Sequence, residues 1–272
     1  MDRHVIEALG MTRVVIENGK VIEVGEPQVT YCPLFFKMRG IEEFTSDVVR
    51  QNIEFRINDF GMCTPDRKMR MKDFLSFGVS ELLGMSVANG MLDCAVLVCE
   101  GAGTAVVSDP ELIQGIGGRI SGIVSTTPIV EIIDQIGRDR VLDPSTAAID
   151  QLRGVDIALS LGFKRVGVTI SAASDASAIR KKYGQKVAIF AVHGSGRTLE
   201  DAGTLFDNCD VITACGSKNI RAVAKERKLF QVGNKVPIFA SSLWGEALLK
   251  HRLEVTNIEN TTSPENPPRP LI

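Results

Sequence analysis

The chain has 272 residues, 44% of them hydrophobic, and a formal net charge of −2. This length suffices for one large core or for a main domain with a smaller appendage, and the near-neutral charge argues against nucleic-acid or anionic-membrane partners. The first ten residues carry charges where a signal peptide is apolar, and no apolar run approaches the roughly 20 residues of a membrane span, so we predict a cytoplasmic protein.

Three regions follow one another along the chain. Residues 1–90 predict a hairpin and helical region that forms an N-terminal α+β appendage. Residues 91–251 alternate between strand and helix patterns and predict a ligand-binding domain. Residues 252–272 are rich in Asn, Thr, Glu and Pro, which favours a disordered tail.

The N-terminal region begins with two short apolar runs at 13–16 and 20–24, joined by Asn18-Gly19. Both residues accept positive φ, so this pair is a strong hairpin signal. Helical spacing of apolar residues then predicts one helix that begins after Thr45 or Ser46 and a second over 72–88, in which Phe74 and Leu75 contribute to the apolar stripe.

Short apolar runs that alternate with helical patterns fill the main domain. This alternation indicates an α/β fold with a doubly wound, mostly parallel, Rossmann-like sheet covered by helices on both faces. The predicted strands lie at 94–99, 120–124, 165–169, 187–191, 210–213, 230–232 and 238–240. The predicted helices lie at 128–137, 145–161, 175–183, 198–206, 217–227 and 242–251.

Turns rich in glycine and hydroxyl residues follow the predicted strands. Ligands of open α/β sheets bind outside the carboxyl ends of the strands, where glycine lets them approach the backbone and helix N-termini attract anions. We therefore expect a small-molecule site there, although strand-to-helix turns also favour these residues for structural reasons. The turns contain Glu100-Gly101-Ala102-Gly103-Thr104, Ser125-Thr126-Thr127, Ser171, His193-Gly194-Ser195 and Cys215-Gly216-Ser217.

The turn at Glu100 resembles the acidic-Gly-x-Gly turn of nucleotide and S-adenosylmethionine sites. A helix should follow such a turn at once, yet residues 105–107 have an extended pattern. A second glycine-rich turn at 114–119 ends in Arg119, a candidate anion ligand, and a purely structural turn is the alternative there.

His193 and Cys215 are the candidate catalytic residues. His193 follows a buried type of strand and is the best acid–base candidate among three histidines, with a hydrogen-bonded structural histidine as the alternative. Cys215 lies at a helix start that would favour a thiolate, with close packing of a small side chain as the alternative.

The six cysteines do not form a disulfide or metal framework. None belongs to a C-x-x-C pair, and Cys32 and Cys63, each near a proline, lack close partner ligands. We therefore expect most of them to be buried thiols, and we expect no metal site. A basic run at 67–72 is expected to be a solvated helix start, with an anion-binding lip as the alternative.

Four strings of the sequence resemble the archaeal family called methanogenesis marker protein 8. They are HVIEALG at 4–10, YCPLF at 31–35, DFGMCTP at 59–65 and QGIGGRISG at 114–122. The resemblance covers about residues 4–250 and implies a cytoplasmic protein of a methane-producing archaeon. It implies no mechanism.

A looser similarity is to the pyridinol methyltransferase of iron-guanylylpyridinol cofactor biosynthesis. That enzyme is a Rossmann-like protein of comparable size that uses S-adenosylmethionine. No catalytic motif of it matches this chain, so the similarity implies a methyl-donor site and no catalytic residue.

From the turns and the two resemblances we predict an S-adenosylmethionine-binding, methyltransferase-like protein of methanogenesis cofactor biosynthesis or maturation. His193 and Cys215 are the predicted catalytic residues. The predicted donor-side residues are Glu100, Gly101, Gly103, Thr104, Ser125, Thr126 and Thr127. The predicted substrate-binding residues are Ser171, Ser195, Thr213, Ser217 and Arg119.

Two other functions remain open. A non-enzymatic accessory factor would dock on a methanogenesis enzyme or carry its cofactor, using Phe35, Phe36, Met38 and Met62 of the N-terminal region. A thiol-dependent enzyme would use Cys215 with His193. A homodimer is expected from the general frequency of homo-oligomers.

Overall fold

Two β-sheets organise the chain, which was analysed as a computed structural model describing residues 2–73, 77–118, 122–233, 235–260 and 266–272. The strands are β1 (Arg3–Glu7), β2 (Arg13–Glu17), β3 (Lys20–Val24), β4 (Cys94–Cys99), β5 (Gly103–Val107), β6 (Gly122–Ser125), β7 (Val166–Ile170), β8 (Val187–Ala191), β9 (Val211–Thr213), β10 (Gln231–Val232) and β11 (Ile238–Ala240). The helices are α1 (Pro33–Arg39), α2 (Ser46–Phe60), α3 (Val79–Ala88), α4 (Pro110–Gly117), α5 (Val130–Ile136), α6 (Gln151–Ser160), α7 (Ala173–Tyr183), α8 (Leu199–Asn208), α9 (Lys218–Glu226) and α10 (Leu243–Thr256).

The larger sheet confirms an α/β fold, but its strands are mixed in direction. In the described residues it has seven strands in the order β10-β11-β9-β8-β7-β4-β5. β4, β7, β8 and β9 are parallel, while β5 at one edge and β11 and β10 at the other are antiparallel. The sheet is therefore not mostly parallel, because the antiparallel pairings are as numerous as the parallel ones.

A doubly wound arrangement is not confirmed. The described parallel strands follow one another in chain order, whereas a doubly wound sheet reverses its strand order at a switch point. The connecting helices α6, α7 and α8 all contribute to the same core on one face, with α9 beside them. Helices α3, α4, α5 and α10 cover the other face, so both faces of the sheet are nevertheless buried.

The predicted strand at 120–124 was wrongly assigned to the larger sheet. Residues 120 and 121 lie outside the described residues, and β6 pairs antiparallel with β1, with Ile6 opposite Ile123 and Glu7 opposite Gly122. The smaller sheet has the order β3-β2-β1-β6. Its β2–β3 hairpin turns at Asn18 and Gly19, with φ of 48° and 71°. The predicted domain boundary at residue 90 thus has main-chain pairing across it.

A buried ion pair joins the segment after α2 to the larger sheet. Arg67 Nε donates to Glu100 Oε1 at 2.5 Å, and neither side chain is exposed to solvent. Arg67 also donates to the carbonyl oxygens of Lys68 at 2.6 Å and Gly115 at 2.7 Å. Burial acts to lower the pKa of Arg67, but the charge of Glu100 holds that pKa above its usual value. The expectation that this basic run is solvated is therefore wrong for Arg67.

The C-terminal residues make more contacts than the predicted disordered tail would. Helix α10 continues to Thr256, and residues 266–272 return to the N-terminal region. Arg269 N donates to Tyr31 O at 3.1 Å, and the Arg269 guanidinium lies 4.3 Å from the centre of the Tyr31 ring. Ile272 N donates to Gly216 O at 2.9 Å. Within the described ranges, no helix combines the length and apolar character that a membrane crossing requires.

We expect Arg67→Met and Glu100→Gln each to lower the free energy of unfolding by about 3–5 kcal/mol, because each leaves a buried charge without its partner. Urea denaturation measures this quantity. Arg13→Met is the control: Arg13 pairs with Glu23 at 2.5 Å, but the two side chains are 51% and 58% exposed. The Arg13→Met variant should lower the free energy of unfolding by less than about 1 kcal/mol. Equal effects of Arg67→Met and Arg13→Met would contradict a structural role for the buried pair.

Candidate functional site

His193 and Cys215 occupy equivalent positions after adjacent parallel strands. His193 is the second residue after β8, and Cys215 is the second residue after β9. Since β8 and β9 are paired through Ala191 and Ile212, the two loops leave the same edge of the sheet side by side. Both residues have left-handed backbone conformations, with φ of 54° and 44°. Such conformations are uncommon for residues other than glycine and occur often at functional sites.

Two adjoining cavities meet at these loops. The first, which we call the apolar cavity, has a volume of about 610 Å³, and the second, the sheet-edge cavity, has about 460 Å³. Both volumes are in the range of small-molecule sites. The residues that line both cavities are Glu7, Leu34, Gly118, His193, Cys215 and Val236. His193 and Cys215 therefore stand at the border between the two spaces.

The apolar cavity lies between the two N-terminal helices and the loops of the larger sheet. Leu34 and Phe35 of α1, Phe44, and Phe55 of α2 supply its apolar wall. Phe35 and Phe44 pack edge to face, with ring centres 5.7 Å apart. This wall suits a ligand with a large apolar or aromatic part.

The sheet-edge cavity runs along the carboxyl ends of all four parallel strands. Val98, Ile170, Val192 and Thr213 line it, one from the end of each strand or from the residue after it. Helix α3 forms part of the opposite wall through Val79, Ser80 and Leu83. This is the place where open α/β sheets bind ligands.

The environment of His193 favours a neutral imidazole. Burial lowers the pKa of His193 to about 4, and the positive charge of Arg197 acts in the same direction. At neutral pH the side chain is therefore uncharged, and one ring nitrogen keeps a lone pair that can accept a hydrogen bond.

Glu7 and Arg197 bring opposite charges to the same cavity without pairing. Both line the sheet-edge cavity, yet neither forms an ion pair with any residue in the described part of the chain. Burial raises the pKa of Glu7, and the charge of Arg197 opposes that rise. The Arg197 Nε atom is buried and has no hydrogen-bond partner among the described residues. Unpartnered buried donors are rare, so this one requires an explanation.

The loop that carries Cys215 is held by its neighbours. Arg221 Nη2 donates to Cys215 O at 2.9 Å, and Cys215 Sγ lies 3.8 Å from Thr213 Oγ1. Burial lowers the pKa of Arg221. Ser195 Oγ accepts a hydrogen bond from Gly216 N at 2.9 Å. These contacts fix the position of the thiol at the border of the two cavities.

The substrate-binding residues predicted from the sequence divide into three groups. Ser171 and Thr213 line the sheet-edge cavity, and Ser195 lines the apolar cavity. Ser217 lines neither; it is buried and caps α9 by accepting from Ile220 N at 3.2 Å. Arg119 lies outside the described residues.

The predicted donor-side residues of the first turn do not line either cavity. The turn at Glu100 leads directly into β5, so it closes an antiparallel hairpin where a ligand-binding turn would lead into a helix. Glu100 pairs with Arg67, and Thr104 Oγ1 donates to Gln151 Oε1 at 2.8 Å. Gly101 and Gly103 have φ of 76° and 70°. A Cβ at Gly103 would come within 2.2 Å of Ala147 O, so close packing explains these glycines.

The turn after β6 likewise has structural contacts. Because β6 belongs to the smaller sheet, Ser125, Thr126 and Thr127 do not follow a strand of the larger one. Thr126 Oγ1 accepts from Gly101 N at 2.7 Å and lies 2.6 Å from His4 Nδ1. Thr127 Oγ1 accepts from Arg3 N at 2.8 Å. The two donor-side turns thus contact one another, while His193 and Cys215 meet at the cavities.

Most of the cysteines have raised thiol pKa values, which disfavour the reactive thiolate form. Burial raises the pKa of Cys63 and Cys99 well above the usual thiol value, and raises that of Cys94 to about 12. Cys32 lines the apolar cavity, and burial raises its pKa too. In the ranges that the structure describes, no group of three or more His, Cys, Asp or Glu side chains is arranged to hold a metal ion.

Sequence reasoning missed two residues of the site. Arg197 follows the His193 turn, and its neighbours Gly196 and Thr198 are typical of an exposed loop, so the sequence did not indicate that part of this side chain is buried. Glu7 is the last residue of β1, a strand that the sequence analysis did not predict. The sequence RHVIE has only two adjacent apolar residues, a weak strand signal, and its three central residues are all buried in the structure.

Comparison with known proteins gives the family. The model of a family described as "Uncharacterized protein conserved in archaea (DUF2099)" matches residues 4–254. The chain belongs to the DUF2099 family. It is also 42% identical to the uncharacterized protein MJ0054 of Methanocaldococcus jannaschii over 283 aligned positions, covering 100% of both chains. No solved structure matches the chain significantly.

Membership of DUF2099 confirms the expected archaeal family. The resemblances to methanogenesis marker protein 8 and to the pyridinol methyltransferase are not confirmed by these comparisons. The match over residues 4–254 includes both cavities' principal side chains, from Glu7 to Cys215.

We expect His193 to make the protein less stable in acid. Its folded-state pKa of about 4 lies below the unfolded value of 6.5, so the unfolded chain binds the proton more readily and stability is lost as pH falls from 6.5 through 4. In His193→Asn this loss should shrink by on the order of 1–3 kcal/mol at pH 4, allowing for partial exposure. Asn tolerates the left-handed backbone.

Urea denaturation at a series of pH values measures this effect. His251→Asn on α10 controls for the removal of an imidazole elsewhere. An unchanged pH profile in His193→Asn would show that His193 is not desolvated in the folded protein.

Proposed function

We propose that the protein is a methyltransferase-like enzyme that transfers a methyl group from S-adenosylmethionine to an acceptor with an apolar body. The observation that carries this proposal is the border between the two cavities, where His193 and Cys215 line both. A transfer reaction needs its two reactants in contact and in line, and two adjoining cavities of this size support the proposal because they have room for both. We place the donor in the sheet-edge cavity and the acceptor in the apolar cavity.

The location of the sheet-edge cavity supports a nucleoside-like donor there. It lies at the carboxyl ends of the parallel strands, where α/β sheets commonly bind nucleotides. Asp175, in the first turn of α7, lines this cavity, and burial raises its pKa. A carboxylate in this position is suited to accept hydrogen bonds from ribose hydroxyls. The donor-side residues are therefore proposed to be Ser171 and Asp175 in place of the turns at Glu100 and Ser125.

His193 is proposed to act as the base. As the methyl–sulfur bond breaks and the new bond to the acceptor forms, a hydroxyl or thiol acceptor loses its proton, and the neutral imidazole takes it. Cys215 is proposed to shape the border between the cavities without forming a covalent intermediate. A role in methanogenesis cofactor biosynthesis or maturation, in the cytoplasm of a methane producer, is part of this proposal and rests on the two sequence resemblances.

A specific observation favours a second candidate function, an accessory factor. Phe36 and Met38 of α1 and Phe55 of α2 are 46%, 50% and 40% exposed, although they are large and apolar. Such residues are enriched in interfaces. Met62, a residue of the predicted docking surface, is fully buried and does not belong to it. Pull-down from native archaeal extract tests this candidate: a stoichiometric enzyme partner would favour it over methyl transfer.

We expect S-adenosylhomocysteine, the product form of the donor, to bind in isothermal titration calorimetry. Ser171→Trp should weaken this binding at least tenfold because the indole fills the sheet-edge cavity. Ser160→Trp, at an exposed position on α6, should leave it unchanged. Absence of heat and of any thermal shift at millimolar S-adenosylhomocysteine would overturn the proposal. Loss of transfer activity in Cys215→Ser would instead favour the thiol-dependent enzyme.

A further inference from the structure

We propose that Glu7 and Arg197 together hold an α-amino-acid group in the sheet-edge cavity, with its ammonium on Glu7 and its carboxylate on Arg197. The inference rests on the proposed function in one respect, since S-adenosylmethionine ends in such a group. It goes further because it names the residues and the chemistry that would recognise that end.

Different elements bring the two side chains to one space. Glu7 ends β1 of the smaller sheet, and Arg197 lies in the loop between β8 and α8 of the larger one. Gly122 of β6, opposite Glu7 in the smaller sheet, also lines the sheet-edge cavity. A Cβ built on Gly122 would lie 3.4 Å from Glu7 Cβ and 3.6 Å from His193 Cδ2. Glu7 and His193 therefore both lie next to the position of Gly122.

Among the described residues, no side chain forms an ion pair with either Glu7 or Arg197, and the two do not pair with each other. Arg197 Nε is buried and finds no partner in the part of the chain that the structure describes, and Arg197 Nη2 makes a long hydrogen bond of 3.5 Å to His193 O. The Arg197 backbone is held in place, because Asn219 Nδ2 donates to Arg197 O at 2.7 Å. Leaving a charged group partly buried without partners is costly, so a ligand that supplies them gains binding energy.

A zwitterion satisfies both groups at once. An anion alone would pair with Arg197 and leave Glu7 buried, and a cation alone would do the reverse. An α-amino acid carries an ammonium and a carboxylate on neighbouring atoms, and it neutralises both side chains without adding net charge to the cavity. Burial raises the pKa of Glu7, and an ammonium beside it would lower that pKa again.

The test compares S-adenosylhomocysteine with 5′-methylthioadenosine, which has the same nucleoside and lacks the amino-acid end. Calorimetry is run on the wild type, Arg197→Met and Glu7→Gln. The exposed substitutions Arg153→Met on α6 and Glu131→Gln on α5 serve as matched controls. Thermal unfolding of each variant confirms that it is folded.

We expect the wild type to bind S-adenosylhomocysteine at least tenfold more tightly than 5′-methylthioadenosine. Arg197→Met and Glu7→Gln should each weaken S-adenosylhomocysteine binding about 10- to 100-fold, the range for loss of a charged hydrogen bond. They should leave 5′-methylthioadenosine binding within about twofold, as should both controls for either ligand.

The outcomes separate this inference from the proposed function. If both nucleosides bind equally, or if the variants keep their affinity for S-adenosylhomocysteine, the amino-acid site is overturned and the proposed function stands. If neither nucleoside binds, the proposed function is overturned, and free L-methionine, L-glutamate and glycine are then compared by thermal shift. Stabilisation of the wild type but not of Arg197→Met by any of them supports the amino-acid site, and no stabilisation overturns it.

Discussion

The ion pair between Arg67 and Glu100 is the constraint on which the arrangement of the site depends. Two charges without solvent contact are tolerated only when their remaining hydrogen-bonding capacity is met, and here the carbonyl oxygens of Lys68 and Gly115 complete the guanidinium. The Arg67 guanidinium also lies 4.8 Å from the centre of the Phe60 ring at the end of α2. Because α2 forms part of the wall of the apolar cavity, the Arg67–Glu100 ion pair helps to fix the position of this wall relative to the larger sheet.

The site is therefore a product of contact between the two sheets. The larger sheet contributes the carboxyl ends of its parallel strands, and the smaller sheet contributes Glu7, the last residue of β1, which lines both cavities. The β1–β6 pairing places Glu7 opposite Gly122, close to His193. Neither sheet alone would enclose the polar end of the cleft, which explains why the cavities lie where the two meet.

The elements that the sequence predicts well are those set by local signals. Asn18-Gly19 predicts the hairpin, and Thr45 predicts the start of α2, where its side chain accepts from Val48 N at 3.2 Å. The apolar runs predict β4 and β8 with their observed bounds. The proximity of His193 and Cys215 was also predictable, because equivalent positions after neighbouring parallel strands lie at the same edge of the sheet.

What the sequence could not predict depends on partners distant in the chain. β6 is short and apolar like the strands of the larger sheet, and only its pairing with β1 assigns it elsewhere. Glu100 has the context of a cofactor-binding carboxylate, but its partner Arg67 lies 33 positions earlier. Likewise, a glycine that packs closely and a glycine that admits a ligand have the same sequence signature, as Gly103 shows.

The left-handed backbone at positions 193 and 215 also limits which residue types these two positions can hold without strain. A β-branched residue would be strained in that conformation, while glycine, asparagine and aspartate fit it with less cost. Histidine is one of the residues that adopt this conformation more readily than most, whereas cysteine occupies position 215 against a conformational preference. In a library that contains all residue types at these two positions, most variants would disturb the loops. A small set of residues that tolerate positive φ would therefore test the border between the cavities more efficiently.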